Sequence, residues 1–206
     1  MKKRKPKIGI SYTVIVKDKK GRVIQKVEKK STKSFVKNFM EMLKAWLTGG
    51  IATIDDINGV TKNVHGYYAD SSNYFEKCDT LGAEGEDDRG IVVGTGTTAV
   101  SPYDNKLESQ VPHGDGDGYL HYQAGSITDV QISDNEISFE YTRNFVNNGT
   151  VTINVNEIGL YAKLRSYEEG SVQEISAMFI RDVLGSAVSV PEGATLTVKY
   201  KIKVTA

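Results

Sequence analysis

The chain has 206 residues, 39% hydrophobic and 25% charged, with a formal net charge of zero. That is enough chain to bury a core without disulfides or metals, and the single cysteine, Cys78, excludes an intrachain disulfide and a multi-cysteine zinc centre. No apolar run approaches the ~20 residues of a membrane-spanning helix, and the basic start MKKRKPKIGISYTVIV is too short and too polar for an export signal, so neither membrane insertion nor Sec export is expected.

The first element is a basic arm. Residues 1–30 carry twelve of the 26 Lys and Arg but only two of the 26 acids, so the arm is +10 and the remainder −10. Such a split allows a grip on nucleic acid, a solvated terminus, or attraction between oppositely charged parts of two copies. We assign Lys2, Lys3, Arg4, Lys5 and Lys7 to assembly and do not expect nucleic acid as the partner. After residue 7 the pattern alternates through Ile10, Tyr12, Val14 and Val16, turns at Lys20-Gly21 and resumes at Val23 and Val27. This predicts a β-hairpin whose charged second strand suits an exposed edge.

At STKSFVKNFMEMLKAWLTGG the period changes to 3.6. Phe35, Phe39, Leu43 and Leu47 recur every four residues, and Val36, Met40 and Trp46 widen the stripe. With Ser31, Thr32 or Ser34 as cap and Gly49-Gly50 as stop, this predicts an amphipathic helix over 34–48. Its face, Phe35, Phe39, Leu43 and Trp46, closes its own core or docks on a neighbouring subunit. Residues 51–89 are polar and rich in Asn, Asp, Gly and Tyr. They are expected to form a surface insertion, with Tyr67, Tyr68, Tyr74 and Phe75 as candidate recognition residues.

From Gly90 onward the chain reads as short strands punctuated by turns. Ile137, Phe139 and Tyr141 alternate, Asn147-Asn148-Gly149 marks a tight turn, and Leu196, Val198, Tyr200, Ile202 and Val204 alternate strictly. The predicted class is mainly β: an antiparallel, jelly-roll-like β-sandwich with an N-terminal hairpin and one amphipathic helix. The arm and hairpin (1–30) precede a single sandwich domain (31–206).

Three stretches invite a chemical reading. GIVVGTGTTAV lacks the Lys and the following helix of a phosphate loop, so Gly94 and Gly96 are expected to serve a turn or bulge. Cys78 has no activating neighbour in sequence. VPHGDGDGYLHYQ brings His113, Asp115, Asp117 and His121 within nine residues. D-x-D spacing can hold Ca²⁺, but the acids of a complete calcium loop are missing, and the two histidines are not at a strong zinc spacing. We read it as a mobile glycine loop rather than a metal centre. No cofactor is expected, nor is any nucleophile-base constellation present in the sequence, so catalysis is not expected.

Four blocks, SFVKNFMEML, GIVVGTGTTAVSPYDNKLESQVPHG, YTRNFVNNGTVTINVNEIGLYAK and FIRDVLGSAVSVPEGATLTVKYKIKV, together resemble a family of small virion structural proteins of tailed bacteriophages and related viruses. The resemblance covers residues 31–48 and 90–206. It implies a virion location and self-assembly in symmetric copies on the head or tail, as a decoration, tail or fibre-type component. It also implies contacts with other virion proteins, and with a host-surface receptor in one version. The family keeps the glycines of HGDGDG but usually lacks the aspartates, which speaks against metal there. Two alternatives remain open at this point: a carbohydrate- or receptor-binding sandwich using Tyr67, Tyr68, Tyr74, Tyr119 and Tyr122, and a nucleic-acid binder using the arm.

Overall fold

Alternating apolar residues need a second layer to face, and two antiparallel sheets supply it. The computed structural model describes residues 7–32, 34–66, 78–168 and 171–205. The larger sheet begins with β1 (Lys7–Lys17) and β2 (Val23–Thr32), the predicted hairpin. β1 pairs on its other side with β12 (Thr195–Thr205), and β12 with β9 (Glu136–Val146), giving the order β2-β1-β12-β9. Three short strands line the far edge of β9: β6 (His121–Tyr122), β7 (Ser126–Ile127) and β8 (Gln131–Ser133). The second sheet has the order β11-β10-β5, from β11 (Ser171–Val190), β10 (Ile153–Glu168) and β5 (Gly90–Gly94). The mainly antiparallel, sandwich-like class predicted from the sequence is therefore the observed one.

Register explains the core. Across β1, β12 and β9, Val16–Leu196–Phe145, Val14–Val198–Arg143 and Tyr12–Tyr200–Tyr141 stand in successive rows on one face. Nearly all of these side chains are buried against the second sheet. The second sheet is covered on both faces: Ile175–Asp182 of β11 are all buried in succession. Its outer cover is α1 (Lys37–Thr48) with the hairpin of β3 (Ile51–Asp55) and β4 (Thr61–His65). A continuous buried run is the mark of a strand with two apolar faces. Where the two sheets meet at an edge, the Gln25 amide substitutes for a strand. It donates to the Ala187 carbonyl (3.0 Å) and accepts from the Ser189 N–H (3.0 Å).

The helix departs from prediction in two ways. It starts at Lys37, and its N-cap, Val36, makes no side-chain capping bond. The residues expected to open it are instead held extended on the edge of β11: Phe35 bridges Ile180, the Val36 N–H donates to the Phe179 carbonyl (3.1 Å), and the Arg181 N–H donates to Ser34 (3.0 Å). Sheet pairing outcompetes the first helical turn. The buried face is also rotated, to Asn38, Met42 and Ala45. Asn38 belongs there because its amide pairs with both backbone groups of Asp55, donating to the carbonyl (2.8 Å) and accepting from the N–H (3.1 Å). The helix ends at Gly49 in the left-handed region, as predicted.

Stretch 51–89 is not simply a surface insertion in its described parts. Ala52, Ile54 and Val64 are core residues, and residues 79–89 pack around Arg143. Residues 67–77, with Tyr67, Tyr68, Tyr74 and Phe75, lie outside the described residues.

Candidate functional site

Side-chain hydrogen bonds tie the HGDGDG loop to the neighbouring turn. Asp117 accepts N–H bonds from Thr150 (2.7 Å) and Val151 (3.2 Å), clipping the loop to the tight turn that precedes β10. Asp115 accepts from the Asn148 amide (2.7 Å) in the same turn and meets His121 Nδ1 (2.9 Å). His121 Nε2 meets Glu84 (2.8 Å). The Tyr122 N–H donates to His113 Nδ1 (3.1 Å), and the two histidine rings lie edge to face at 5.0 Å.

The electrostatics follow from these contacts. The Asn148 amide, then His121, holds Asp115 below the usual carboxylate range, and the Thr150 backbone does the same for Asp117. The bond to Glu84, offset in part by burial and reinforced by Asp115, raises His121. Both His121 nitrogens can donate only as imidazolium. Candidate metal ligands His113, Asp115, Asp117 and His121 are thus held around one turn, with Asp115 Oδ1, Asp117 Oδ1 and His113 Nδ1 accepting from protein donors. Among the described residues no three His, Cys, Asp or Glu side chains are arranged to hold a metal ion.

The glycine-rich loop holds anions that belong to the protein itself. Glu157, fully buried on β10, accepts from the N–H groups of Gly96 (3.2 Å), Ser109 (2.8 Å) and Glu108 (3.1 Å). Arg181 binds its other side through Nε (3.0 Å), and extends to Asp104 (2.7 Å). Glu108 in turn accepts from Thr97 and Thr98, each at 2.7 Å. A Cβ on Gly96 would stand 2.5 Å from the Glu157 carboxylate and from Glu108 Cβ, so the glycine is required by close approach. Backbone N–H groups that resemble a phosphate cradle are already satisfied by carboxylates.

Arg143 is a second buried hub. All five of its N–H donors reach backbone carbonyls, those of Gln123, Arg89, Ile91, Ala83 and Glu86, at 2.6–3.0 Å. Its guanidinium also stacks over Tyr122, 4.9 Å from the ring centroid. Tyr122, a candidate recognition residue, is entirely buried and donates its hydroxyl to the Val111 carbonyl (2.6 Å). Tyr119 remains exposed.

Of the nineteen large apolar side chains exposed among the described residues, eight lie in two groups and the rest are spread over the surface. On the helix, Met40, Trp46 and Leu47 are exposed, with Ile51 just beyond. Phe35 and Phe39, expected for assembly, instead stack on each other at 4.0 Å, and Phe39 meets Phe179 edge-on, so both are half-buried in their own fold. Leu43 is half-buried and Trp46 open. On the larger sheet, Ile8, Val204, Ile137 and Ile132 are exposed at the end of four neighbouring strands. Sequence reading missed this face, although the alternation of β1, β9 and β12 runs through Ile8, Ile137 and Val204 without a break. Of the basic arm, Lys2, Lys3, Arg4 and Lys5 lie outside the described residues, and Lys7 pairs by backbone with Thr205.

No family model, curated protein or solved structure matches the chain. Among the described residues no helix is long and apolar enough to cross a membrane.

Proposed function

We propose that this chain is a non-catalytic structural subunit that acts by associating with copies of itself, as a virion component of a tailed phage or related virus. The observation that carries this reading is that two groups of exposed apolar side chains, Met40, Trp46, Leu47 and Ile51 at the helix end and Ile8, Val204, Ile137 and Ile132 on the larger sheet, stand apart from the scattered singles that need no explanation. The resemblance of four sequence blocks to virion proteins motivates the virion part of the reading. The use of the interior charges supports the structural part: Glu157, Arg181 and Arg143 are bound into hydrogen bonds that shape loops. Other virion proteins, and a host-surface receptor reached through residues such as Tyr67, Tyr68, Tyr74 and Phe75, are the partners this role implies.

Electron microscopy of the recombinant full chain tests it. Ordered rings, tubes or shells built from a repeating subunit are the expected result. Isolated particles of monomer size at every concentration and salt would contradict it.

A further inference from the structure

Four places in the chain set Asn or Asp before glycine: Asn58-Gly59, Asp115-Gly116, Asp117-Gly118 and Asn148-Gly149. Glycine has no Cβ to shield its backbone nitrogen, so that nitrogen can reach the side-chain carbonyl carbon of the residue before it. Whether a site reacts depends on what holds the acyl group and the nitrogen. Three of the four are held. The Asn148 amide donates to Asp115 (2.7 Å), and Gly149, which is buried, donates its N–H to Asn147 Oδ1 (3.1 Å). A Cβ on Gly149 would stand 2.8 Å from the Gly116 carbonyl oxygen, so this glycine is closely enclosed. Asp115 and Asp117 are tied to Asn148 and to Thr150, and these bonds hold both carboxyls below the usual range. They stay ionised near neutral pH, and a carboxylate is a poor acceptor of a nucleophile.

Asn58 is the open one. It lies in the turn between β3 and β4, where Asn58, Gly59 and Val60 are all exposed. Its backbone N–H donates to Asp56 Oδ1 (2.9 Å), but among the described residues its side-chain amide makes no hydrogen bond. Gly59 stands in the left-handed region at φ +80°, a conformation that favours glycine. Its N–H is kept by one bond, to the Asp56 carbonyl across the turn (2.9 Å). An exposed turn opens at little free-energy cost, whereas an enclosed one opens only with its surroundings.

We propose that Asn58 is a site of spontaneous covalent modification, where the folded protein converts an amide to an acid and loosens the β3–β4 hairpin as it ages. The Gly59 nitrogen gives up its proton and attacks Asn58 Cγ, and the bond from Cγ to the amide nitrogen breaks. Ammonia leaves, and a five-membered succinimide remains. Water opens the ring at one of its two carbonyls, giving an aspartyl residue or its β-linked isomer. Overall one water enters and one ammonia leaves, with no oxidation. Both products add a negative charge beside Asp55 and Asp56. The β-linked product also adds a carbon to the backbone between residues 58 and 59, which disrupts the Gly59-to-Asp56 bond that closes the turn. The hairpin contributes Ala52, Ile54 and Val64 to the core, so the change reaches the cover of the second sheet.

The test is peptide mapping by mass spectrometry of the full chain held at mildly alkaline pH, folded beside unfolded in guanidinium chloride. Unfolded, Asn58 and Asn148 are expected to convert alike. Folded, Asn58 is expected to convert within about tenfold of its unfolded rate, and Asn148 about a hundredfold or more slower than its own. Asn58→Gln sets the amide one carbon further out, where the five-membered ring cannot form, and residue 58 should then stay unmodified. The position is exposed, and circular dichroism melting verifies folding. Hydrogen exchange over residues 51–65 should be faster in the aged wild type than in the fresh one, and unchanged by ageing in Asn58→Gln. A folded chain that keeps the Asn58 amide while the unfolded chain loses it overturns the proposal. So does a folded chain in which Asn148 converts as fast as Asn58. Conversion at Asn58 with no change of exchange over 51–65 overturns the loosening.

Discussion

Arg143 shows how a buried cation can be stabilised without a carboxylate. Five carbonyls from two separate stretches, four from residues 83–91 and one from Gln123, converge on one guanidinium, which fixes the path of residues 83–91 over the core. Truncation leaves those carbonyls without a donor at ~1 kcal/mol or more each. We predict that Arg143→Met lowers unfolding free energy by about 3 kcal/mol or more in urea titrations. A loss under about 1 kcal/mol would mean water replaces the guanidinium freely. Asp182 presents the opposite case. It is a carboxyl between the sheets near Tyr12, Tyr200, Ser34 and Lys29, and burial pushes it up to about 6. A raised carboxyl pKa favours the protonated native state. Its contribution is therefore best below the unfolded value near 4 and is lost as pH rises to about 6. Asp182→Asn should abolish that decline and stabilise the protein near pH 8, by up to about 3 kcal/mol. Thermal melts across pH would show it; a variant with the wild-type slope between about pH 4 and 6 would contradict it.

At the scale of elements, loops that look loose in sequence are fastened by polar side chains. Gly96→Ala would drive a Cβ into Glu157 and Glu108. The expected loss is about 2 kcal/mol or more, with faster hydrogen exchange at Ser109 and Glu108, whose N–H groups share the carboxylate. In the His121 clasp, the raised pKa means the contribution is full below the unfolded value near 6.5 and vanishes as pH climbs through the higher folded value. Hydrogen exchange in residues 113–122, corrected for intrinsic rates, should thus speed up on moving to about pH 8. Glu84→Gln should flatten that dependence, and an unchanged profile would remove the clasp. Strand positions and the hairpin were legible because alternation of Ile10, Tyr12, Val14 and Val16, or of Leu196, Val198 and Tyr200, reports a half-buried strand directly. The helix was legible in kind but not in phase. A periodicity of apolar residues cannot reveal that Asn38 substitutes for strand pairing with Asp55, or that Phe35 and Val36 are taken by the β11 edge. The clasp was legible only as a cluster of residue types. Its partners, Glu84, Asn148 and Thr150, are 30 or so residues away and are joined by tertiary folding alone.

For the whole molecule, the balance is between a core that satisfies most of its polar groups, Ser166 Oγ, Asp182 Oδ2 and Tyr200 Oη excepted, and a surface that leaves two groups of apolar side chains open. The N-terminal and C-terminal strands pair along their full length, Lys7 with Thr205 to Lys17 with Thr195. Ile8, Val204 and Ile137 therefore sit at the ends of three strands that pair continuously. The charge split between residues 1–30 and the remainder gives association a salt-sensitive component. The most direct measurement is sedimentation velocity of the unaltered full chain over a wide concentration range, at low and high salt. Self-association predicts a sedimentation coefficient that rises with concentration and falls back when salt is added. A single monomer boundary, unchanged across both series, would contradict it.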